Sequence, residues 1–340
     1  MNTSPAPDFS HLLAMTDQLG TFEHAELTRP RPEHGYCTDD MARVLVVTTR
    51  ERAPAAAVRR LVDLSLRFLS AAQAMDGRCR NRMDRHGRWR DRPTVDDCWG
   101  RSLWALGTAA ARSDSERVRQ TATALFERSA VLRSPSPRSM AFAALGAAEL
   151  LAARPTHSAA KGLLRLAADD MDDGASANGA WPWPEPRLAY ANAVLPDAMI
   201  ATGAALGRRD LLVRGLTLLA WLLDHETAGG HLSVTPVRGA SPGDHRPAFD
   251  QQPIEVAAIA DACVRAATVD EDQRWPAGIA LAVGWFTGDN DAGQRMWDPD
   301  TGGGFDGLQP DGPNRNQGTE STLALLSTLQ HGRRLVLAPV

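Results

Sequence analysis

Lysine is almost missing from this chain of 340 residues: Lys161 is the single one among 37 Lys+Arg residues. It falls in a plain amphipathic stretch, which argues against covalent chemistry through a pocket lysine. Cysteine is scarce too. Cys37, Cys79, Cys98 and Cys263 form no CxxC pair, so they read as separate reduced thiols. The nine histidines include no HExxH and no His/Cys cluster with zinc spacing. GxGxxG and the GxxxxGKS/T phosphate loop are also missing, and with them any reason to expect a cofactor or a metal. No apolar run approaches the roughly 18 residues that a membrane span needs. Met1 to Ser10 lacks the basic and apolar regions of a secretory signal, so a cytoplasmic location is the expectation. The formal net charge is −4 with no basic stripe, which argues against a nucleic-acid partner.

Hydrophobic residues make up 43% of the chain, enough for a large core, and no low-complexity linker divides it. Residues 1–340 therefore read as one domain. Alanine- and leucine-rich stretches with helical spacing recur throughout, while alternating β-branched runs hardly occur. One set of helices is predicted at 38–50, 95–112, 137–153, 190–207, 253–267 and 317–331. A second set falls between them at 55–74, 115–132, 157–171, 209–225 and 271–288, with 8–19 as a sixth partner. The pattern predicts an all-α fold of six helical hairpins. Connectors leaving the first set are short, whereas those entering it are mostly long: 75–94, 172–189, 226–252 and 289–316. Long loops in a compact domain usually carry function. Alternating hairpins place every long loop on one face, where the first-set helices present positive dipole ends and free N–H groups.

This layout resembles the (α/α)6 toroid of many glycoside hydrolases, sugar epimerases and polysaccharide lyases, with the first set as the inner ring. A narrower resemblance lies in His34-Gly35-Tyr36-Cys37-Thr38-Asp39-Asp40-Met41-Ala42-Arg43. It is similar to the HGYCTDDNAR signature of a bacterial family often labelled as glycosyltransferase, because its members are fused to, or encoded near, such enzymes. Residues 183–196, 249–255 and 316–323 resemble later blocks of that family. Met41 stands where the resemblance leads one to expect Asn, and Pro184 where it leads one to expect an aromatic residue, both at positions where a change can alter a sugar contact. The resemblance implies a carbohydrate ligand, and a glycosyltransferase of the same pathway as a partner.

Acidic residues gather where the first-set helices begin. Asp39 and Asp40 are about 100° apart on a helix, so one can cap it while the other faces the pocket. Their structural reading is an N-cap at Thr38 or Asp39 and an Asp40–Arg43 pair at i+3. Asp96 and Asp97 repeat the arrangement, with Arg101 at i+4 from Asp97. Two such pairs on neighbouring hairpins crowd negative charge, which is how a general acid is kept protonated near neutrality. Trp181, Trp183 and Glu185 lie in a Trp-Pro-Trp-Pro-Glu-Pro run that proline keeps extended. That run presents two indoles for sugar faces and one carboxylate; the competing reading packs both indoles inward. Tyr190 and Asn192 follow. Asp250, Gln251 and Gln252 precede Pro253, which sets Glu255 at a position suited equally to a capping box and to catalysis. Asn316 reads as an N-cap, and Glu320 either faces the pocket or neutralises the dipole. The glycine-rich run 301–307 brings Phe305 and Asp306 to the rim. His34 serves either as a base or as a simple hydrogen-bonding group.

These elements predict an inverting glycoside hydrolase acting on short oligosaccharides. Such chemistry needs two carboxyl groups roughly 6.5–9.5 Å apart, which suits side chains from helices whose axes lie about 8–10 Å apart. Asp40 and Asp97 are the first candidates for acid and base, with Glu185, Asp250 and Glu320 as alternatives. His34, Tyr36, Asp39, Asp96, Trp181, Trp183, Asn192, Gln251 and Glu255 are the expected sugar-binding residues. Two other readings stand beside this one. A sugar epimerase or isomerase on the same scaffold would prefer two pocket histidines, drawn from His34, His231 and His245. A non-catalytic glycan-binding module would serve a partner glycosyltransferase.

Overall fold

The computed structural model describes residues 5–173 and 181–337. Its helices are α1 (Ser10–Ala14), α2 (Thr38–Arg50), α3 (Ala56–Ala72), α4 (Asp97–Arg112), α5 (Glu116–Ser129) and α6 (Pro137–Ala153). They continue with α7 (Ser158–Asp173), α8 (Val194–Leu206), α9 (Arg209–His225), α10 (Pro253–Ala266), α11 (Arg274–Thr287) and α12 (Thr319–Leu337). The even-numbered helices pack each on the next, and α12 returns to α2, closing an inner ring. Each inner helix carries an outer partner: α3 on α2, α5 on α4, α7 on α6, α9 on α8, α11 on α10, and α1 on α12. The result is the (α/α)6 toroid expected from the periodicity.

Burial separates the two rings. In α4 every residue from Cys98 to Ala110 is buried, and in α6 every residue from Arg138 to Leu151. A helix buried all round must lie inside a larger assembly. The outer α5 buries only a stripe, Val118, Ala122, Leu125 and Phe126 among it. Helices α4 and α6 approach more closely than side chains would allow. A Cβ added at Gly107 would collide with the Gly146 carbonyl, and one at Gly146 with the Leu103 carbonyl.

Helix ends follow local chemistry. Pro137 takes the first position of α6 behind Ser136, whose hydroxyl accepts from Ser139 N–H. Gly207 and Gly288 end α8 and α11 in the left-handed conformation. Helix α8 starts at Val194 rather than 190, because residues 189–192 form a turn in which Ala191 has φ +45°. The expected helix 8–19 shrinks to α1, since a turn closes from Asp17 N–H to the Gly20 carbonyl.

The long connectors carry four small antiparallel pairs: Ala25–Glu26 with Arg29–Pro30, Tyr36–Cys37 with Arg82–Met83, Thr227–Ala228 with His231–Leu232, and Gly307–Gln309 with Gly312–Asn314. They stiffen the face from which the inner helices start. The four cysteines are buried and unpaired. Among the described residues, no helix is long and apolar enough to cross a membrane.

Candidate active site

Arginines organise the face where the inner helices begin. On α2, Arg43 Nη1 reaches Asp40 Oδ1 at 2.8 Å, and its Nη2 reaches Glu320 on α12 at 2.6 Å. On α4, Arg101 Nη1 lies 3.0 Å from both Asp39 and Asp97. On α6, Arg138 pairs with Glu185 at 2.5 Å and donates to the Tyr190 carbonyl at 2.6 Å. All three guanidinium residues are buried. The i+3 and i+4 pairs follow from helical spacing, but the bridges to Glu320, Asp39 and Glu185 exist only because the ring closes.

The carboxylates differ in state. Burial opposes ionisation of Asp39, yet Arg101 and Arg43 hold its carboxyl below the usual value. Burial lifts Asp40 to about 7 against the pull of Arg43, with Glu320 and Glu23 adding repulsion. Asp97 accepts from Ser139 Oγ at 2.9 Å and from the Tyr190 hydroxyl at 2.7 Å. Burial and that carboxylate raise the Tyr190 pKa, so the phenol stays protonated.

Residues 189–192 are held from both sides. Arg138 grips Tyr190 from below, with its guanidinium 4.9 Å from the ring centroid. From α10, Glu255 accepts from Ala191 N–H, and from Asn192 N–H and Nδ2 at 3.0 and 2.9 Å. Asn192 Oδ1 in turn accepts from Ala189 N–H at 2.9 Å. Ala191 sits in the sparsely populated positive-φ region, strain of the kind that clusters at functional sites. Burial, with Glu226 nearby, pushes Glu255 up to about 8, while its N–H donors pull the other way. Glu226 is raised by burial as well, and its Oε2 has no partner. Repulsion from a neighbouring buried carboxyl favours the protonated form of Glu255.

Between these groups lies a cavity of about 190 Å³ lined by Arg101, Tyr190, Thr235, Gln252, Glu255 and Glu320. Glu320, its side chain 44% exposed, and Tyr190, 42% exposed, are the carboxyl and the phenol that a ligand in it can reach. The walls, as drawn by the described residues, contain no histidine.

The sequence-derived candidates divide accordingly. Asp39, Asp40, Asp97, Asn192, Glu255, Glu185 and Glu320 come together around the arginines. Tyr36 does not join them: its ring is buried, stacked on Phe22, and its hydroxyl donates to Asp17 at 2.7 Å. Trp183 is 1% exposed and stacked on Trp221 of α9, and Trp181 meets Trp221 edge-on while donating to the Glu185 carbonyl. Both indoles brace the loop from behind, because α9 offers an aromatic surface that the sequence pattern did not reveal. Gln251 is also buried, bonded to Ala248, Asp291 and Trp285, and so pins its connector. Asp250 lies against Gly307, with burial raising its pKa and one oxygen without a partner. Asp96 is exposed and makes no capping bond; Cys37, not Thr38 or Asp39, caps α2. Asn316 accepts from Leu27 N–H, leaving Asp306 to accept from Gly318 N–H just before α12. His34 is exposed, edge-on to His24 at 4.9 Å. His231 pairs with Asp291 at 3.0 Å, and His245 borders a separate cleft. Sequence reasoning missed Arg138 and assigned no role to Tyr190. Tyr190 stands beside Asn192, but only the fold shows its hydroxyl meeting Asp97.

Glu23, Cys37 and Asp40 place ligand atoms within 4.8 Å of one another. A metal does not suit them: Arg82 and Arg43 already pair with Glu23 and Asp40, and burial raises the thiol pKa far above its ordinary value.

No family model matches this chain, and no curated protein does either. Solved structures do. A sugar epimerase from a ruminal bacterium matches with TM-score 0.71 at 12% identity, covering 96% of this chain and 95% of its own. The cellobiose 2-epimerase of Spirochaeta thermophila matches with TM-score 0.66 at 14% identity, covering 96% and 93%. The cellulase Cel9M of C. cellulolyticum, solved with cellobiose, matches with TM-score 0.62 at 8% identity, covering 93% and 88%. At such identities the likeness establishes a shared (α/α)6 fold.

Proposed function

We propose that the protein is a carbohydrate-active enzyme that moves a proton on a reducing sugar, as an epimerase or isomerase. The observation that carries this reading is the pairing, across one cavity, of an accessible carboxylate with a protonated phenol, flanked by fixed guanidinium groups. Moving a proton next to a sugar carbonyl needs a base, a donor for the carbonyl oxygen, and positive charge for the enediolate that forms. Glu320 is the base, and Tyr190 becomes the donor when its single O–H turns from Asp97 to the carbonyl oxygen. Arg43 and Arg101 supply the positive charge, already oriented by Asp40, Asp39 and Asp97, so little reorganisation is needed at the moment of reaction. Likeness over nearly the whole chain to structures described as sugar epimerases supports the same choice. The reading does without the two pocket histidines that the sequence led us to expect.

Hydrolysis is the second reading, favoured by Asp40 at about 7 and Glu255 at about 8. Each has the protonation of a general acid, but Asp40 is enclosed beside Arg43 and Cys37, and the oxygens of Glu255 accept N–H groups of the 191–192 turn. Incubating the protein in D2O with reducing mono- and disaccharides, followed by NMR, separates the two. Deuterium next to the carbonyl carbon together with a new sugar supports proton transfer. Glycosidic cleavage without exchange overturns it in favour of hydrolysis.

A further inference from the structure

The end of the ring with short connectors holds an open cleft of about 790 Å³, whose wall carries Arg50, Arg52, Arg59, Arg112, Arg117 and Arg334. Half of these charges are neutralised. Arg50 meets Asp261 at 2.6 Å, Arg112 meets Glu149 at 2.8 Å, and Arg117 pairs with Asp63. Glu51, also in the wall, is taken by Arg333 at 2.7 Å. The guanidiniums of Arg52, Arg59 and Arg334 find no carboxylate and no hydrogen-bond acceptor among the described residues. Asp114, which is exposed, is the one acid of the wall left to face them.

Helix chemistry does not account for the surplus. Arg50 and Arg112 end α2 and α4, where a cation complements the dipole. Arg59 stands near the start of α3, the end at which a cation is disfavoured, and no side chain caps that helix. Arg334 is partly buried. Burial and the guanidiniums of Arg50, Arg112 and Arg52 press its pKa below the ordinary value, with Asp261 pulling the other way. An arginine keeps its proton under such pressure, so the repulsion stays in the fold. It straddles the seam where α12 returns to α2, with Arg334 on one side and Arg52 and Arg59 on the other. From Glu320 to Arg334 along α12 is about 21 Å at the helical rise, so the cleft stands apart from the sugar cavity.

We propose that this cleft binds a small oligophosphate, a chain of two or three phosphate groups that bridges Arg334 to Arg52 and Arg59 and clamps the seam of the ring. The planar guanidinium fork matches a pair of phosphate oxygens. Three free forks, on α12, on the 51–55 connector and on α3, are more than one carboxylate or one phosphate ion can engage. A phosphate chain brings oxygens to all three, and the cleft has room for it.

Calorimetry and thermal melting of the full chain, at constant ionic strength, test this with tripolyphosphate, pyrophosphate, phosphate and sulfate. Affinity should rise from phosphate to tripolyphosphate, and tripolyphosphate should raise the melting temperature. Arg334→Gln should weaken tripolyphosphate binding at least about tenfold, as expected for a partly buried hydrogen bond between charged groups. Arg52→Gln and Arg59→Gln, at exposed positions, should weaken it about two- to fivefold each. Without ligand, Arg334→Gln should melt no lower than the parent, since a repelled cation has gone; a purely structural arginine would leave a less stable protein. If that variant fails to fold, the Arg52→Gln/Arg59→Gln double variant decides. Tripolyphosphate bound no more tightly than sulfate, or binding untouched by these variants, overturns the proposal. So does much tighter binding of long-chain polyphosphate or single-stranded RNA, which marks an open polyanion surface rather than a site for a small ligand.

Discussion

Both ends of the inner ring carry arginine–carboxylate networks, built from the same residue types on the inner helices. At the end with short connectors, Arg50 pairs with Asp261, Arg265 with Asp197 and Glu149, and Arg112 with Glu149. Despite burial, Arg50 and His331 hold Asp261 well below its usual value, and Arg265 and Arg112 hold Glu149 at about 2. Asp197 is the exception there, lifted by burial in spite of Arg265. At the end with long connectors, Asp40 and Glu255 are lifted instead, and Glu320 and Tyr190 are open to the cavity. The difference is one of closure. Where the chain turns back within a few residues, the guanidiniums and carboxylates satisfy one another and the charges are locked. Where loops of some twenty residues enter, the networks have room to end in a group that a ligand can reach.

That contrast is most sharply tested by removing one group from each end. Glu320→Gln and Tyr190→Phe should each lower turnover about 10²–10⁴-fold, the range typical of general acid–base groups. Thermal melting should show little change in either variant. Retained turnover in both would move the site away from this cavity. At the closed end the balance reverses. Asp261→Ala leaves Arg50 facing a buried site without its carboxylate, and breaking a buried pair typically costs about 3–5 kcal/mol. Urea unfolding should record that loss, and a stability change under 1 kcal/mol would show that the network is not the lock described here.

The response to pH sharpens the comparison further. A carboxyl raised in the folded state binds its proton more tightly there than in the unfolded chain. Its contribution is therefore full at low pH and fades as pH rises from about 4 through the folded value. For Asp40 that window ends near 7. Asp40→Asn should thus remove a decline in stability between pH 4 and 7, leaving the variant relatively more stable at pH 8. Glu149, held at about 2, behaves oppositely. Its contribution is present above its unfolded pKa and is lost as pH falls towards 2, so Glu149→Gln should flatten the acid limb instead. Melting curves at several pH values distinguish the two. The smallest expected effect is that of a chelator, which should leave turnover unchanged, because Arg43 and Arg82 occupy the carboxylates of the one compact cluster found among the described residues.

The toroid was legible in the residues because its inner helices advertise themselves. Apolar runs such as 140–148, shortly after a Ser-Pro start, mean a helix buried on every side. The alternation of short and long connectors gathers the starts of the inner helices on one face. Asp40 with Arg43 and Asp97 with Arg101 were likewise visible as helical spacings. Trp181 and Trp183 misled for a physical reason: an indole suits a sugar face and a packed core equally well, and the sequence does not show which surface it will meet. Trp221 on α9 decided the matter.

Local periodicity and turn chemistry thus determined the helices, their order and the face on which acids collect, since those depend on neighbours a few residues apart. Only tertiary structure decided that Arg101 joins Asp39 to Asp97, that Glu255 grips the strained Ala191 turn, and that Tyr190 rests on Asp97. Each of these contacts spans between 62 and 93 residues, apart from the i+4 half of the Arg101 bridge. Their partners are set by closure of the ring, because charge and hydrogen bonding act across whatever distance in space the packed helices leave, not across distance in sequence.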